Sequence, residues 1–436
     1  LIKVRYFKKV ISKHNVQNIM DVKLFGLPAE KGRWLFIPLG LTVLLCLGTV
    51  YSWSIFRKPL EKLLNIGATE SLLPFTVLLV VFAILMPITG FYINRFGARL
   101  ITAVGGIITG LGYILSSFEG NITMLTFTYG VIAGVGVGIV YGVPLAVVAK
   151  WFPDKKGLAV GLTVIGFGLS PLITAPLAKS LIDTNGVRQT FVILGVAFTI
   201  IILAISTLLQ TPPTGWKPQG FHASAKTTST VNERVPMLSS GSFYGLWLCY
   251  AIGSFAGLAA IGIASPLAQE IVKLDAATAA SLVSLFAIFN GAGRPFFGWF
   301  TDRFSAKYGA ILAFVLILIA SIMMLKVGQG DALTYKVAFV LFYFSLGGWL
   351  AIAPTSTLTL FNPENYAKNY GIVFTAYGVG ALGGTLLAGR IRDIFGSYSN
   401  FFYPTAGLAV LGIVLALFTL KRSPVVVGQE VERIGS

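Results

Sequence analysis

Twelve times along the chain a run of about twenty predominantly apolar residues recurs, the length at which a helix rising 1.5 Å per residue crosses a hydrocarbon layer of roughly 30 Å. Read as spanning helices, these runs cover 34–57, 71–94, 99–118, 122–150, 157–182 and 190–210, then 241–269, 277–301, 306–326, 336–360, 370–390 and 401–420. The expected fold is therefore an all-α membrane protein of two six-helix halves, 34–210 and 241–421. A basic segment, 1–33, precedes them, a polar linker, 211–240, joins them, and a tail, 422–436, follows. Only 11% of the 436 residues are charged and 55% are hydrophobic, whereas a soluble domain carries roughly 25% charge.

The formal charge of +17 does not mark a nucleic-acid surface, because Lys and Arg fall in short clusters between the apolar runs. Such clusters report topology instead: the side holding both chain ends has 22 basic residues against 10 on the other, which predicts cytoplasmic termini. Residues 1–24 are basic and lack a continuous apolar stretch ending in small residues, so no cleaved signal peptide is expected. With short loops as well, the expected location is a plasma membrane, multi-pass, of the prokaryotic inner-membrane kind, with the lipid bilayer as the main partner of a chain working as a monomer. Cys46 and Cys249 lie inside apolar runs and read as core residues; His14 and His222 are isolated, so no metal site is expected. Neither a nucleophile with its base nor a phosphate loop or cofactor motif is present, which argues against an enzyme, a bound cofactor and ATP-driven transport.

Two internal echoes suggest a duplicated half. Gly90-Phe-Tyr-Ile-Asn94-Arg95-Phe-Gly97-Ala-Arg99 follows the second span, and Gly298-Trp-Phe-Thr-Asp302-Arg303-Phe-Ser305-Ala-Lys307 follows the eighth. Each reads as a tight gating loop in which glycine allows close approach and the charges tie helix ends together. This doubled pattern resembles the signature loop of the major facilitator superfamily, whose members usually have Asp where this chain has Asn94.

One basic residue escapes the loop count. Arg294 precedes Asp302, at the end of the eighth span, by eight residues, or roughly 12 Å of helix, which puts it near the bilayer midplane. A cation at that depth costs about 3 kcal/mol on insertion scales, so it is expected to face a cavity or the bundle interior. Its planar fork matches a carboxylate in two parallel hydrogen bonds, and no Asp or Glu lies well inside a span to neutralise it. Asn290, one turn earlier, shares its face and either orients Arg294 or bonds the substrate. The alternative is a structural role, with carbonyls or tyrosine hydroxyls satisfying the guanidinium.

Three stretches narrow the resemblance. NGAGRPFFGWFTDRF around Arg294, AKWFPDKKGLAVGLTVIGFGLSP at 149–171, and NYAKNYGIVFTAYGVGALGG before span eleven are similar to those of the oxalate and formate antiporter family and the related monocarboxylate transporters. The resemblance implies that Arg294 binds the anion. It also implies that Tyr129, Tyr343 and Tyr377 donate to its carboxylate, with Tyr51 and Trp53 as weaker candidates. The oxalate carrier has a second buried cation where this chain has Tyr377, so a monocarboxylate fits better than a dianion. Mammalian relatives have a proton-linked Asp where this chain has Asn290, which leaves the proton-carrying group open. The expected function is alternating-access transport of a small carboxylate anion of the lactate or pyruvate type, with H+ as the expected co-substrate. The competing readings are oxalate–formate exchange and a non-transporting carboxylate sensor.

Overall fold

A computed structural model describes residues 22–118, 120–213, 215–218, 237–361 and 366–420. The expected segments at 1–21 and 421–436, most of the linker, and His14 and His222 lie outside the described residues. A small hairpin, β1 (Lys23–Leu24) paired antiparallel with β2 (Leu27–Pro28), leads into the helices. Eleven helical segments are long and apolar enough to cross a membrane among the described residues. They are α1 (Ala29–Leu64), α2 (Ala68–Phe96), α3 (Ala98–Ser116), α4 (Ile122–Trp151), α5 (Lys156–Leu208), α6 (Gly241–Val272), α7 (Ala276–Phe304), α8 (Ala306–Met324), α9 (Ala332–Leu360), α10 (Tyr366–Phe395) and α11 (Ser399–Thr419).

The sequence places two runs where α5 now stands. At 53 residues a straight α5 would extend about 80 Å, far beyond any hydrocarbon layer. Its backbone is broken at Gly186, whose φ of 78° and ψ of 166° are not helical. The first run also proves longer than its apolar stretch, because Arg57, Lys58 and Glu61 continue α1 to Leu64.

The bundle turns its large apolar side chains in both directions. Val43, Leu78, Phe82, Phe286 and Phe339 are buried among helices, while Ile84, Phe118, Ile200 and Phe418 are exposed on its flanks. An apolar exterior is what a bilayer solvent allows, since lipid tails are as apolar as leucine. Between helices the close contacts rely on small residues: a β-carbon at Gly136 of α4 would lie 2.4 Å from the Thr109 backbone nitrogen of α3. Gly130, Gly134 and Gly138 of the same helix likewise stand close against Val77, Leu78 and Leu85 of α2. Across the molecule α2 lies along α10, and α5 along α7.

Both repeated loops turn tightly at the same motif position, with φ of 82° at Gly97 and 131° at Ser305. Only glycine enters this region freely, and a side chain there is strained by about 1–3 kcal/mol. Ser305→Gly is expected to raise the melting temperature by relieving about 1 kcal/mol; a lower midpoint in detergent melts would count against that strain.

At the end of the bundle bearing the first described residues, here called proximal, Arg33 is 5% exposed. It donates to both carboxylate oxygens of Asp154 at 2.6 and 2.9 Å and to the Trp151 carbonyl at 3.1 Å. The guanidinium lies 4.6 Å from the Phe152 ring centroid. Arg33's hydrogen bonds hold the Asp154 carboxyl below its ordinary range. A depressed folded pKa means that the pair stabilises fully above the unfolded value, roughly 3.9, and loses that stability as pH falls through the lower folded value. Asp154→Asn is expected to destabilise the fold by about 1–3 kcal/mol at neutral pH. The gap from wild type should close in melts run in acid below that range; a gap unchanged by acid would contradict it.

Candidate anion-binding site

Three arginines are buried among the described residues, Arg33, Arg57 and Arg294. The loop count of basic residues includes Arg57, but the continuation of α1 to Leu64 places it inside the bundle, where it is fully buried. Arg33 pairs with Asp154 and Glu30, and Arg57 with Glu61. Arg294 has no carboxylate within ion-pair distance among the described residues; its Nη1 donates to the Val164 carbonyl of α5 at 2.7 Å, while Nε and Nη2 have no partner. Those two atoms form the edge of the guanidinium that binds a carboxylate side-on.

Asn290 is wholly buried one turn before Arg294. Its Nδ2 donates to the Tyr343 carbonyl at 3.2 Å, and its Oδ1 has no partner. Because a carbonyl only accepts, this contact fixes which end of the amide is nitrogen. The free edge and the free oxygen converge on Gly168 of α5. A β-carbon there would lie 2.5 Å from Asn290 Oδ1, 3.1 Å from Arg294 Nη2 and 3.2 Å from Arg294 Nε. The absence of a side chain at Gly168 is what lets α5 close over the pair.

Tyrosines surround this point. The Tyr51 and Tyr377 hydroxyls share a hydrogen bond of 2.7 Å, joining α1 to α10 across the two halves. Tyr51 packs edge-on to Phe167 at 5.0 Å between centroids, and Tyr141 packs on the same ring at 5.2 Å. Tyr51, Tyr141, Tyr250 and Tyr370 lie within electrostatic reach of Arg294. Tyr343 is buried with an unpartnered hydroxyl.

Tyr129 is elsewhere. Its hydroxyl meets that of Tyr113 at 3.4 Å, and its ring lies against Trp53, Tyr113 and Phe191 within the first half. Near Arg294 the same helix presents Tyr141 instead. The two tyrosines sit at different levels: Tyr141 is nine residues from Lys150, matching the depth of Arg294, while Tyr129 is seven residues from Ile122 at the other end of the helix. A segment of π-helix, Thr126–Ala133, also rotates the helix face at Tyr129. Trp53 donates to the Ser71 carbonyl and belongs to the Tyr129 cluster.

At the repeated loops, the backbone at Gly90 and Asn94 is helical, and the Asn94 side chain lies outside the described residues. Arg99 Nε donates to the Leu209 carbonyl at 3.0 Å, linking the start of α3 to the residue that follows α5. Arg95, Asp302 and Arg303 are exposed and Gly298 and Lys307 are half-buried; among the described residues no ion pair joins the three charged residues of the second loop to an opposite charge.

At the opposite, distal end a cluster of charged side chains ties the halves together. Arg57 donates to the Gly262 carbonyl at 3.1 Å and the Tyr398 hydroxyl at 2.9 Å. Glu270 bridges Lys58 of the first half and Arg392 of the second. Asp393 accepts from the amides of Ala68 and Thr69 at 2.8 and 2.9 Å, at the start of α2. A cavity of about 270 Å³ opens beside this clasp, lined by Lys58, Lys62, Lys179, Asp183 and Gln269.

A bundle of membrane-length helices in two packed halves is the architecture of a membrane transporter, and here it buries an arginine that has no carboxylate partner among the described residues. The chain belongs to the Major Facilitator Superfamily, whose model matches residues 38–259 and 246–435. It is 29% identical over 398 residues to the oxalate:formate antiporter of Oxalobacter formigenes, covering 89% of this chain and 92% of that one. Against monocarboxylate transporter 12 of Xenopus laevis the identity is 26%, covering 78% of each chain. Its fold is similar to that of a bacterial homolog of the human lysosomal transporter Spinster in an inward-facing and occupied conformation, with a TM-score of 0.68, 14% identity, and coverage of 89% of this chain and 97% of that one. These relatives are transporters, and the chain is not an enzyme.

Proposed function

We propose that the chain is a secondary active transporter of small monocarboxylates, of the lactate or pyruvate type, working by alternating access and coupled to protons. Arg294 binds the anion, with Asn290, Tyr51, Tyr343 and Tyr377 around it and Tyr141 in the role expected of Tyr129. The observation that carries this reading is that Arg294, alone among the three buried arginines, has no carboxylate partner among the described residues. A mobile anion completes such a site, whereas a structural arginine is completed by the fold. Counting α5 as two crossings parted at Gly186 gives twelve, with both termini cytoplasmic and the distal clasp facing outward. On that reading the present arrangement is closed to the outside, and opening requires Arg57 to release Gly262 and Tyr398, and Lys58 to release Glu270. The membrane is the plasma membrane, of the prokaryotic inner-membrane kind, and the working unit a monomer.

Tyr377 favours a monoanion over oxalate, because an uncharged hydroxyl leaves a second carboxylate without a fixed cation. The similarity to the oxalate:formate antiporter keeps carboxylate exchange as the second reading. Proteoliposomes separate them. A pH gradient acid outside should drive accumulation of labelled L-lactate that a protonophore abolishes. If uptake appears only in vesicles preloaded with oxalate or formate, exchange replaces symport.

A further inference from the structure

We infer that the site selects short 2-hydroxy monocarboxylates over their 2-oxo counterparts, with Asn290 Oδ1 as the acceptor for the 2-hydroxyl; this rests on Arg294 binding the carboxylate. Three observations carry it. First, Asn290 Nδ2 is committed to the Tyr343 carbonyl, so the side chain cannot flip to offer a donor without breaking that bond. Its free end is an acceptor that lacks a partner while fully buried. Second, Oδ1 and the Nε–Nη2 edge of Arg294 lie within 3.2 Å of one point above Gly168. A carboxylate on that edge therefore carries its α-carbon substituent towards Oδ1 once α5 draws back. Third, the two protein groups make opposite demands: the guanidinium edge offers only donors, and Oδ1 only accepts.

A ligand satisfying both presents a carboxylate and, one carbon away, a hydroxyl. A 2-hydroxy acid does so, and its O–H donates to Oδ1 while the carboxylate accepts from Nε and Nη2. A 2-oxo acid presents an oxygen lone pair to Oδ1, so the buried acceptor stays unsatisfied and faces a like dipole. An unsubstituted acid leaves Oδ1 unpaired without the repulsion. Sites built to hydrogen-bond a substrate hydroxyl discriminate strongly against analogues lacking it, because the buried partner is left bare. The expected order is hydroxy, then unsubstituted, then oxo.

Competition against labelled L-lactate uptake in proteoliposomes tests this with the wild-type chain, using lactate, propionate and pyruvate, and 2-hydroxybutyrate, butyrate and 2-oxobutyrate. The pKa differences of these acids are removed by working at pH 7.5, where all are ionised. Half-inhibition by the hydroxy acid should come at roughly tenfold lower concentration than by the unsubstituted acid, with the oxo acid weakest. Asn290→Ala should compress the hydroxy-to-unsubstituted ratio towards one, whatever its absolute rate. Oxo acids competing as well as hydroxy acids in wild type, or a ratio unchanged in Asn290→Ala, would overturn the inference while leaving Arg294 as anion site. If labelled L-lactate is not taken up at all and none of the six acids protects the protein against thermal unfolding, the underlying monocarboxylate reading fails instead.

Discussion

Replacing Arg294 with Lys is expected to weaken carboxylate uptake by about 30- to 150-fold, although the charge is retained. The guanidinium already gives Nη1 to the Val164 carbonyl at 2.7 Å and keeps its Nε–Nη2 edge free. It can therefore hold its place and grip an anion at the same time. An ammonium has one nitrogen for both tasks, and loses the parallel pair of charge-assisted hydrogen bonds, worth about 2–3 kcal/mol when desolvated. Measuring the initial rate against lactate concentration in vesicles with matched protein content checks this. If Arg294→Lys transports at the wild-type rate and half-saturation, side-on carboxylate binding is wrong.

Gly168→Ala is the second large effect. Its β-carbon would stand 2.5 Å from Asn290 Oδ1, about an ångström inside ordinary contact, and Asn290 cannot retreat without losing the Tyr343 carbonyl. Overpacking of this kind costs about 1–3 kcal/mol, which depopulates the arrangement with α5 closed on α7 by about 5- to 150-fold. On the proposed alternating-access cycle, which passes through that arrangement, the uptake rate should fall at least about fivefold, with expression retained and the melting temperature lowered by no more than the overpacking cost. Gly161 lies on the same helix with open space where its β-carbon would be, so Gly161→Ala serves as the control. Equal rates for the two variants would mean that closure over Gly168 is not part of the cycle.

Much of this arrangement could be read from the sequence because bilayer physics makes two quantities visible there, length and depth. Apolar runs set the helices, and the eight residues between Arg294 and Asp302 set that arginine inside the bundle. The same depth count, applied to α4 from Lys150, selects Tyr141 as the tyrosine level with Arg294, whereas the packing of Tyr129 against Trp53 and Phe191 required the folded bundle. Arg57 was misjudged for a different reason. Hydropathy ends the first span where charge begins, yet Glu61, Ser71 and Tyr398 supply partners that let a cation continue the helix while buried. Glu61 is one turn on along α1, but Ser71 and Tyr398 come from α2 and the connection before α11, and no local pattern announces those two. The convergence of Asn290 and Arg294 on Gly168 is equally non-local, since α5 and α7 belong to different halves. The position 377 substitution was legible as chemistry, but its hydrogen bond to Tyr51 required the folded pair.

Equilibrium binding of radiolabelled L-lactate to the purified chain in detergent at neutral pH tests the central claim most directly, because it needs neither a gradient nor a choice between symport and exchange. Saturable binding at one site per chain in wild type, lost in Arg294→Leu with the melting temperature preserved, is the predicted result. Saturable binding of equal strength in Arg294→Leu would contradict it and would return Arg294 to a purely structural role.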